Sequence, residues 1–291
     1  MLLNVYEPWK FAFSQEETDL NNVCENSWGI LGIPFDSTSS YKTGSRTGPT
    51  VVREASFGFE KYNLELETEL DTTFYDFGDI NTIPGNCQKT CEIIEDTVKE
   101  LLDNKIKPLI IGGEHSVTIG AIKAISQQYD NLTIIHLDAH RDLADEFIGE
   151  KYSHASVMKR VHEMGVKNLV QIGIRSSSKE EEEFVKSQDN IYSFKPKFVY
   201  DHYDELQYTL SQIEGPIYIS IDLDVLDSSV APKVGNPTPN GIFLHEIRYI
   251  LKCINLDNVV GFDVVETATA ELGDITAVAA SKIIYDFLSL I

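Results

Sequence analysis

Three polar side chains are spaced two residues apart at the end of the apolar run TIIHL: Asp138, His140 and Asp142. Side chains alternate between the two faces of an extended strand, so residues at i, i+2 and i+4 share one side. Ionised carboxylates gathered at the end of an apolar strand repel one another and lose hydration, which is costly unless a cation offsets their charge. The spacing therefore favours a metal-binding cluster over an ordinary solvated acidic surface.

Polar side chains also follow other apolar runs of the chain. Asp222 and Asp224 end the run IYISIDLD, His115 comes after two glycines in LIIGGEH, and the run VVGFDVVE carries Asp263 and Glu266. In open α/β sheets, ligands bind beyond the carboxyl ends of the strands. We therefore expect these side chains to meet Asp138 and its neighbours at one edge of a sheet.

The residue types indicate which ion such a cluster would hold. Four carboxylates and two imidazoles, without a thiolate, favour a harder ion than a cysteine-lined zinc site holds. Six ligands exceed what one ion with open positions needs, so two ions that share bridging carboxylates are expected, with Mn²⁺ as the best fit. A two-metal site of this kind can activate a bridging water. The six expected ligands are His115, Asp138, His140, Asp142, Asp222 and Asp224.

Each group has a structural interpretation when it is taken alone. His115 after two glycines could cap a helix, and Asp222 with Asp224 could serve in a turn or a cap. The three groups together, at the ends of separate strands, disfavour a purely structural role. His136 is interpreted as a core histidine on the opposite side from the ligands, and Arg141 is also expected to point away from them.

The elements that position these residues alternate between strand and helix along the chain. Such an order, with nearly continuous apolar strands, predicts a three-layer αβα fold with a central parallel sheet of roughly eight strands. The predicted strands span 28–34, 72–80, 107–113, 131–139, 168–175, 190–194, 216–224 and 258–266. The predicted helices span 87–104, 116–129, 153–164, 178–187, 203–213, 243–253 and 274–289. We expect one domain over residues 1–291.

Two other segments have a distinct composition. The loop GIPFDSTSSYKTGSRTGP, residues 32–49, leaves a strand at its carboxyl end, and loops of this length inside compact domains tend to be functional. Composition alone leaves open that it is an ordinary surface loop. The charge run KEEEEF, residues 179–184, predicts the solvated outer face of a helix.

The overall composition excludes some classes of partner. A formal net charge of −22 argues against nucleic acid, because phosphate binding needs clustered lysine and arginine. It fits a cationic substrate or bound metals, or acidity that serves only solubility. No run approaches the roughly 18 apolar residues of a membrane span, and the start of the chain lacks a signal-peptide pattern. With four cysteines, too few for a disulfide framework, a cytoplasmic protein is expected.

At these residues the sequence resembles the ureohydrolase (arginase/agmatinase) family. GGEHS at 112–116, DAHRD at 138–142, SIDLDVLD at 220–227 and VVETA at 264–268 match that family's motifs in order and spacing. The resemblance extends over nearly the whole chain and implies the arginase-like fold. It also implies a homo-oligomer, a trimer or a hexamer.

The resemblance implies a role for each site residue. It places His115 and Asp142 on one Mn²⁺ ion, His140 and Asp224 on the other, and Asp138 and Asp222 as bridges. In the implied reaction a metal-bridging hydroxide attacks the guanidinium carbon, while Glu266 orients the cation. Asp142 takes up a proton and His154 relays one to the leaving amine, which releases urea. Guanidinium is a poor electrophile, so the reaction needs a strong nucleophile and a fixed pose.

Two stretches bear on which small cationic guanidino compound is the substrate. Arginases recognise the α-amino and α-carboxylate groups through segments that correspond here to residues 147–155 and 173–177, and both depart from the arginase pattern, with Ser176 in place of an aspartate. The resemblance is therefore closest to agmatinases, which convert agmatine and water to putrescine and urea. Differences at Asp227–Ser228, Asn236 and Asn240 keep aminopropylagmatine and guanidinobutyrate open.

Further alternatives belong to the same scaffold or to another class. Arginine remains a possible substrate, and so does formiminoglutamate, with Arg141 or Arg175 holding its carboxylates. A non-catalytic, metal-binding regulatory homologue is the remaining alternative, although all six ligands and Glu266 are present.

Overall fold

The computed structural model describes residues 5–6 and 9–291, and a parallel sheet forms its centre. In chain order the strands of these residues are β1 (Val5–Tyr6), β2 (Trp28–Gly32), β3 (Tyr62–Asn63), β4 (Thr68–Glu69), β5 (Phe74–Ile80), β6 (Lys107–Ile111), β7 (Thr133–Leu137), β8 (Asn168–Ile172), β9 (Ile191–Phe194), β10 (Ile217–Asp222) and β11 (Val259–Val265). Eight of them pair in parallel in the order β5-β2-β6-β11-β10-β7-β8-β9, with β1 antiparallel to β5 at the edge. β3 and β4 form a separate antiparallel pair.

Helices cover both faces of the sheet, as the predicted three-layer αβα architecture requires. Within the described residues they are α1 (Gly48–Ser56), α2 (Cys87–Asp103), α3 (Thr118–Ser126), α4 (Val157–Glu163), α5 (Lys179–Lys186), α6 (Pro196–Asp201), α7 (Tyr203–Ser211), α8 (Leu244–Cys253) and α9 (Ile275–Leu290). Every residue of β7 and of β10 is buried, which explains their nearly continuous apolar sequences. No helix in the described part of the chain is long and apolar enough to cross a membrane.

The order of the strands brings distant parts of the chain together. β6, β11, β10 and β7 are neighbours in the sheet, although they are far apart in sequence. In the paired register, Ser220 of β10 lies beside His136 of β7 on one side and Asp263 of β11 on the other. All four strands run in the same direction, so their carboxyl ends meet at one edge.

All eight predicted strands are present, and shorter elements were missed. Helix α1 begins at Gly48, inside the loop predicted for 32–49, and continues beyond it. The Gly-Pro pair resembles a turn, but proline is also favoured at the first helical positions because its fixed φ suits the helix. Helix α6 begins in the same way at Pro196.

Helix α5 only partly agrees with the prediction of a solvated face. Glu180 and Glu183 are exposed. Glu181, however, accepts a hydrogen bond from the amide of Leu143 at 3.0 Å, and it forms a capping box with Ser178. Glu182 accepts from Arg141 at 2.5 Å, so two acidic side chains of the run face the loop that follows β7.

Candidate metal centre

His115 reaches the edge of the sheet through a turn that only glycine can form. The chain leaves β6 through Gly112 and Gly113, and a Cβ at Gly113 would lie 2.0 Å from the carbonyl oxygen of Phe35. His115 follows in a short 3₁₀ turn and is buried. The glycines therefore let the chain pass close to the neighbouring loop and deliver the imidazole to the end of β6.

The imidazole Nδ1 of His115 faces three carboxylates. It lies 3.2 Å from an oxygen of Asp138, 3.1 Å from one of Asp142 and 3.4 Å from one of Asp222. This nitrogen is buried and has no hydrogen-bond partner among the described residues. Side chains from the ends of three strands thus converge on one point.

The other nitrogen of His115 determines what Nδ1 can do. Its Nε2 lies 3.0 Å from Ser220 Oγ, and that hydroxyl donates its hydrogen to Asp263 at 2.7 Å. Ser220 must then accept from Nε2–H, so Nδ1 of the neutral ring carries a lone pair aimed at the three carboxylates. Such an arrangement is unfavourable without a cation. In the metal-free protein the effect of burial is outweighed by the carboxylates of Asp138 and Asp142, which raise the pKa of His115 well above its usual range, so that a proton can take the place of a metal. The residues present therefore fit a divalent metal.

A second group of donors adjoins the first. His140 Nδ1 lies 2.8 Å from an oxygen of Asp224 and 3.5 Å from one of Asp138. The backbone amide of Ala139 donates to Asp224 at 3.0 Å, and that of His140 donates to Asp138 at 2.5 Å. Ligand atoms of Asp138, His140 and Asp224 lie within 4.8 Å of one another, and so do those of Asp138 with His115, His136 and Asp142, so Asp138 belongs to both groups. All six predicted ligands are thus brought together, and Asp138 stands between the two halves.

His136 is buried as predicted, but its predicted direction is wrong. Its Nε2 lies 2.8 Å from an oxygen of Asp138, on the same side of β7 as that carboxylate. Residues 136 and 138 are two apart, and the two-residue period of a strand places them on one face. His136 is therefore a neighbour of the cluster and not a residue of the opposite face.

Two site residues have a left-handed backbone conformation. The φ angle is 53° at Asp142 and 68° at Glu266. Only a few per cent of non-glycine residues adopt positive φ, and such residues cluster at functional sites. Both positions follow the end of a strand of the sheet, where this conformation directs the side chain back toward the cluster.

Glu266 is a buried carboxylate beside the cluster. One of its oxygens accepts from the amide of His115 at 2.8 Å, and the other accepts from Ser45 Oγ at 3.0 Å. A Cβ at Gly235 would lie 2.6 Å from this second oxygen, so the glycine leaves space for the carboxylate. Burial and the neighbouring Glu114 raise the pKa of Glu266 to about 8.

His154 lies on the wall above the cluster and is held by the loop that follows β2. Its Nε2 is 3.0 Å from Ser40 Oγ, and its backbone amide donates to Thr38 Oγ1 at 3.0 Å. Thr38 in turn donates to Glu114 at 2.5 Å. Burial, with the nearby His115 as a smaller cause, lowers the pKa of His154 to about 4, so the ring is neutral at neutral pH. The long loop after β2 therefore contacts the site.

A cavity of about 480 Å³ opens above the cluster. Sequence reasoning did not single out Tyr41, Glu181 or Thr238, since only the folded chain brings their segments to this place. The lining residues are Ser40, Tyr41, His115, His140, Arg141, Asp142, Ala144, Phe147, His154, Ala155, Ser176, Ser177, Ser178, Glu181, Asp222, Asp224, Asn236, Pro237, Thr238 and Glu266.

Asp227 and Asp263 lie near the site but serve structure. Asp227 accepts from the amides of Ser229 and Asn240 at 3.0 and 2.8 Å, which joins the two ends of the loop at 227–241. Asn240 has φ of 66°, a conformation that asparagine tolerates and glycine favours. Asp263 accepts from Ser220 and lies behind His115. The departures at 227 and 240 therefore concern the loop backbone.

Two arginines near the site are engaged by protein acceptors. Arg175 donates to the backbone carbonyls of Asp224 at 2.6 Å and Thr238 at 2.5 Å. Arg141 points away from the six-residue cluster, as predicted, and donates to Gln171 at 2.9 Å and Glu182 at 2.5 Å. Both guanidinium groups are therefore engaged by acceptors within the protein.

We expect the metal-free protein to become less stable as the pH rises from about 4 to 8. Burial and the charge of Asp138 raise the pKa of Asp142 to about 7 from an ordinary 3.8, and that of Glu266 is also raised, to about 8. A raised folded-state pKa contributes stability below the unfolded pKa, and this stability is lost as the pH passes the folded pKa. Metal replaces protons at the carboxylates, so Mn²⁺ should raise Tm more at pH 8 than at pH 5. Thermal unfolding with and without Mn²⁺ measures this, and a metal-induced shift that is equal at both pH values would contradict it.

Comparison with known proteins gives a consistent result. The model of the arginase family matches residues 26–289. The agmatinase of Bacillus anthracis is 41% identical over 266 residues, which cover 89% of this chain and 90% of that protein. The N(1)-aminopropylagmatine ureohydrolase of Thermococcus kodakarensis is 34% identical over 287 residues, with 97% and 95% covered. The crystal structure of agmatine ureohydrolase of Thermoplasma volcanium superposes with a TM-score of 0.83 at 28% identity, covering 96% of this chain and 94% of that one.

Proposed function

Because this chain belongs to the arginase family of hydrolases, we propose that it hydrolyses the guanidino group of a small cationic substrate, with agmatine and water giving putrescine and urea. The proposal rests on the composition of one cavity, of its floor and of its wall. Its floor holds the histidine and aspartate cluster beside a buried glutamate, and among the described residues its wall offers no free cation for a substrate carboxylate.

We assign two Mn²⁺ ions to the cluster. His115 and Asp142 would hold one ion, His140 and Asp224 the other, and Asp138 and Asp222 would be shared. The unpaired Nδ1 of His115 and the place of Asp138 in both donor groups support this assignment. Bound there, the ions would supply Lewis acidity and positive charge that activate water and stabilise developing negative charge.

Glu266 would hold the guanidinium group of the substrate. Its two oxygens are fixed by His115 and Ser45, and each keeps a lone pair for a further donor. A guanidinium in contact would favour the ionised carboxylate, although burial alone raises the pKa of Glu266. Paired N–H donors matched to a fixed carboxylate orient the planar cation over the cluster.

Asp142 and His154 would handle the protons of the reaction. In the metal-free protein burial raises the pKa of Asp142 to about 7, and Asp142 also lines the cavity, so its carboxylate stands where a proton of the reaction can be taken up. His154 is neutral and lines the same cavity, with Ser40 within 3.0 Å of its Nε2. It can therefore receive a proton and deliver it to the leaving amine.

The electrostatics of the cavity favour a substrate without a carboxylate. Among the described lining residues, Arg141 is the only side chain with a permanent positive charge, and it donates to Gln171 and Glu182. Arg175 is held by backbone carbonyls. Glu181 adds negative charge to the wall. A cationic tail such as that of agmatine fits this lining better than arginine, guanidinobutyrate or formiminoglutamate.

Aminopropylagmatine is the second candidate. The relative from Thermococcus kodakarensis, an N(1)-aminopropylagmatine ureohydrolase by name, matches nearly the full length of this chain. The longer polyamine tail is also cationic and carries no carboxylate, so the same acidic wall suits it.

Protein loaded with Mn²⁺ is expected to release urea and putrescine in equal amounts from agmatine. Quantification of both products by mass spectrometry, with metal-stripped protein as the control, tests the proposal. Formamide from formiminoglutamate, without urea from agmatine, would replace the proposed reaction by another on the same scaffold. Full metal occupancy without turnover of any guanidino compound would support the regulatory alternative.

A further inference from the structure

We propose that Gln171 and Arg141 position the carboxylate of Asp138 through His136, by fixing which ring nitrogen of His136 carries the hydrogen. These residues form a continuous buried chain that leads away from the metal cluster. The inference rests on the proposed function only in that Asp138 is taken as a metal ligand.

The outer end of the chain is set by Arg141. Its guanidinium donates to Gln171 Oε1 at 2.9 Å and to Glu182 at 2.5 Å. An arginine can only donate hydrogen bonds, so the oxygen of the Gln171 amide must face it. The NH₂ group of Gln171 then points the other way, where it donates to the backbone carbonyl of Arg141 at 2.9 Å.

The same NH₂ group determines the state of His136. It lies 3.1 Å from Nδ1 of His136, and because it is a donor, that nitrogen must accept. The hydrogen of the neutral ring is therefore on Nε2, which lies 2.8 Å from Asp138 Oδ2. His136 and Gln171 are fully buried and Arg141 is 4% exposed, so solvent does not replace these partners.

The result is a fixed N–H donor on an oxygen of the shared carboxylate. Asp138 Oδ2 is also the oxygen 3.2 Å from His115 Nδ1, where the cluster converges. In the other tautomer, a lone pair of His136 would face this oxygen in a buried site, which is costly. Groups that hydrogen-bond to metal ligands typically change metal affinity by about 10- to 100-fold when they are removed.

The arrangement also gives Arg141 a function. It stands between the ligands His140 and Asp142 in the chain, yet its side chain runs to the opposite side, toward β8 and helix α5. Arg141 therefore anchors the hydrogen-bond network that leads through Gln171 and His136 to Asp138. Arg141 and Gln171 act as positioning residues in this account, since neither touches substrate.

The decisive variant is Gln171→Glu, which keeps the size of the side chain and removes its donor. The carboxylate would accept from Arg141 and require a hydrogen on Nδ1 of His136. The ring then either turns a lone pair toward Asp138 or becomes a cation that competes with the metal. We expect Mn²⁺ affinity, measured by electron paramagnetic resonance titration, to fall by about 10- to 100-fold. Gln127→Glu makes the same change at an exposed position and should bind Mn²⁺ like the wild type.

A matched pair at His136 separates positioning from packing. His136→Gln places an amide N–H near the position of Nε2 and should keep Mn²⁺ affinity close to that of the wild type. His136→Phe fills the space without a donor and should weaken binding as Gln171→Glu does. If His136→Phe does not fold, as judged by circular dichroism, the Gln171→Glu result decides alone.

The outcomes distinguish this inference from the proposed function. Wild-type Mn²⁺ affinity in folded Gln171→Glu protein, or equally weak binding by His136→Gln and His136→Phe, would overturn the positioning role. A wild-type protein that binds Mn²⁺ but releases no urea would overturn the proposed function and leave the positioning role intact. A hydrogen on Nδ1 of His136, detected by ¹⁵N NMR of histidine-labelled protein, would also overturn the positioning role.

Discussion

Asp138→Ala is expected to lose both metal binding and urea formation. Asp138 contributes to both donor groups and is fully buried, so its removal leaves each group incomplete. Metal ions that activate water supply several kcal/mol to the transition state, and activity should fall below about one-thousandth of the wild-type rate. Elemental analysis after dialysis and a urea assay measure the two effects on the same sample. Asp130→Ala, at an exposed aspartate beyond helix α3, should change neither.

Asp222→Ala provides a second test of the shared ligands with less risk to folding. Burial and the neighbouring Asp224 raise the pKa of Asp222 well above its ordinary value, which indicates that its ionised form is disfavoured in the metal-free protein. The variant loses this unfavourable burial together with the hydrogen bond that Asp222 accepts from the amide of Asp224 at 2.8 Å, so the metal-free protein should remain folded while metal and activity are lost. Full metal occupancy in either alanine variant would rule out the bridging assignment.

Glu266→Gln is expected to retain metal and lose most turnover. Glu266 lies outside both donor groups, and a glutamine oxygen can still accept from the amide of His115. The lost charge is the one that would pair with the guanidinium. Removal of one partner from a buried charge pair costs about 2–5 kcal/mol, which corresponds to a decrease in kcat/KM of roughly 30-fold or more.

The same two assays decide the role of Glu266. Glu180→Gln makes the same change at an exposed position of helix α5 and should retain both metal and turnover. Loss of metal in Glu266→Gln would place this carboxylate among the ligands. Wild-type turnover with agmatine would remove it from the substrate site.

The large elements and the set of candidate ligands could be predicted because their signals are local. Apolar runs such as the one before Asp138 identify buried parallel strands, and a spacing of two residues identifies side chains on one face. The family resemblance added the role of Glu266, which no spacing indicates. The structure brings five of the predicted ligands into the two donor groups and Asp222 within 3.4 Å of His115 Nδ1, because their strands are neighbours in the sheet.

Other features of the site depend on long-range packing or on backbone conformation. The left-handed conformations of Asp142 and Glu266 have no signal in the sequence, since neither residue is glycine. The cavity wall at Tyr41, Glu181 and Thr238 comes from three separate segments. The direction of His136, in contrast, could have been predicted from the sequence, because the two-residue period that places Asp138 on one face of the strand also places His136 on that face.

The most direct test of the account compares kcat/KM of the Mn²⁺-loaded protein for agmatine, aminopropylagmatine, arginine and guanidinobutyrate. Urea release should be efficient with agmatine, with aminopropylagmatine as the nearest rival. Arginine and guanidinobutyrate should be poorer by roughly 30-fold or more, since each carries a carboxylate and the described residues of the cavity wall offer no free cation to pair with it. An equal or higher kcat/KM for arginine or guanidinobutyrate would contradict the proposed specificity, and the absence of urea from all four compounds would contradict the proposed reaction itself.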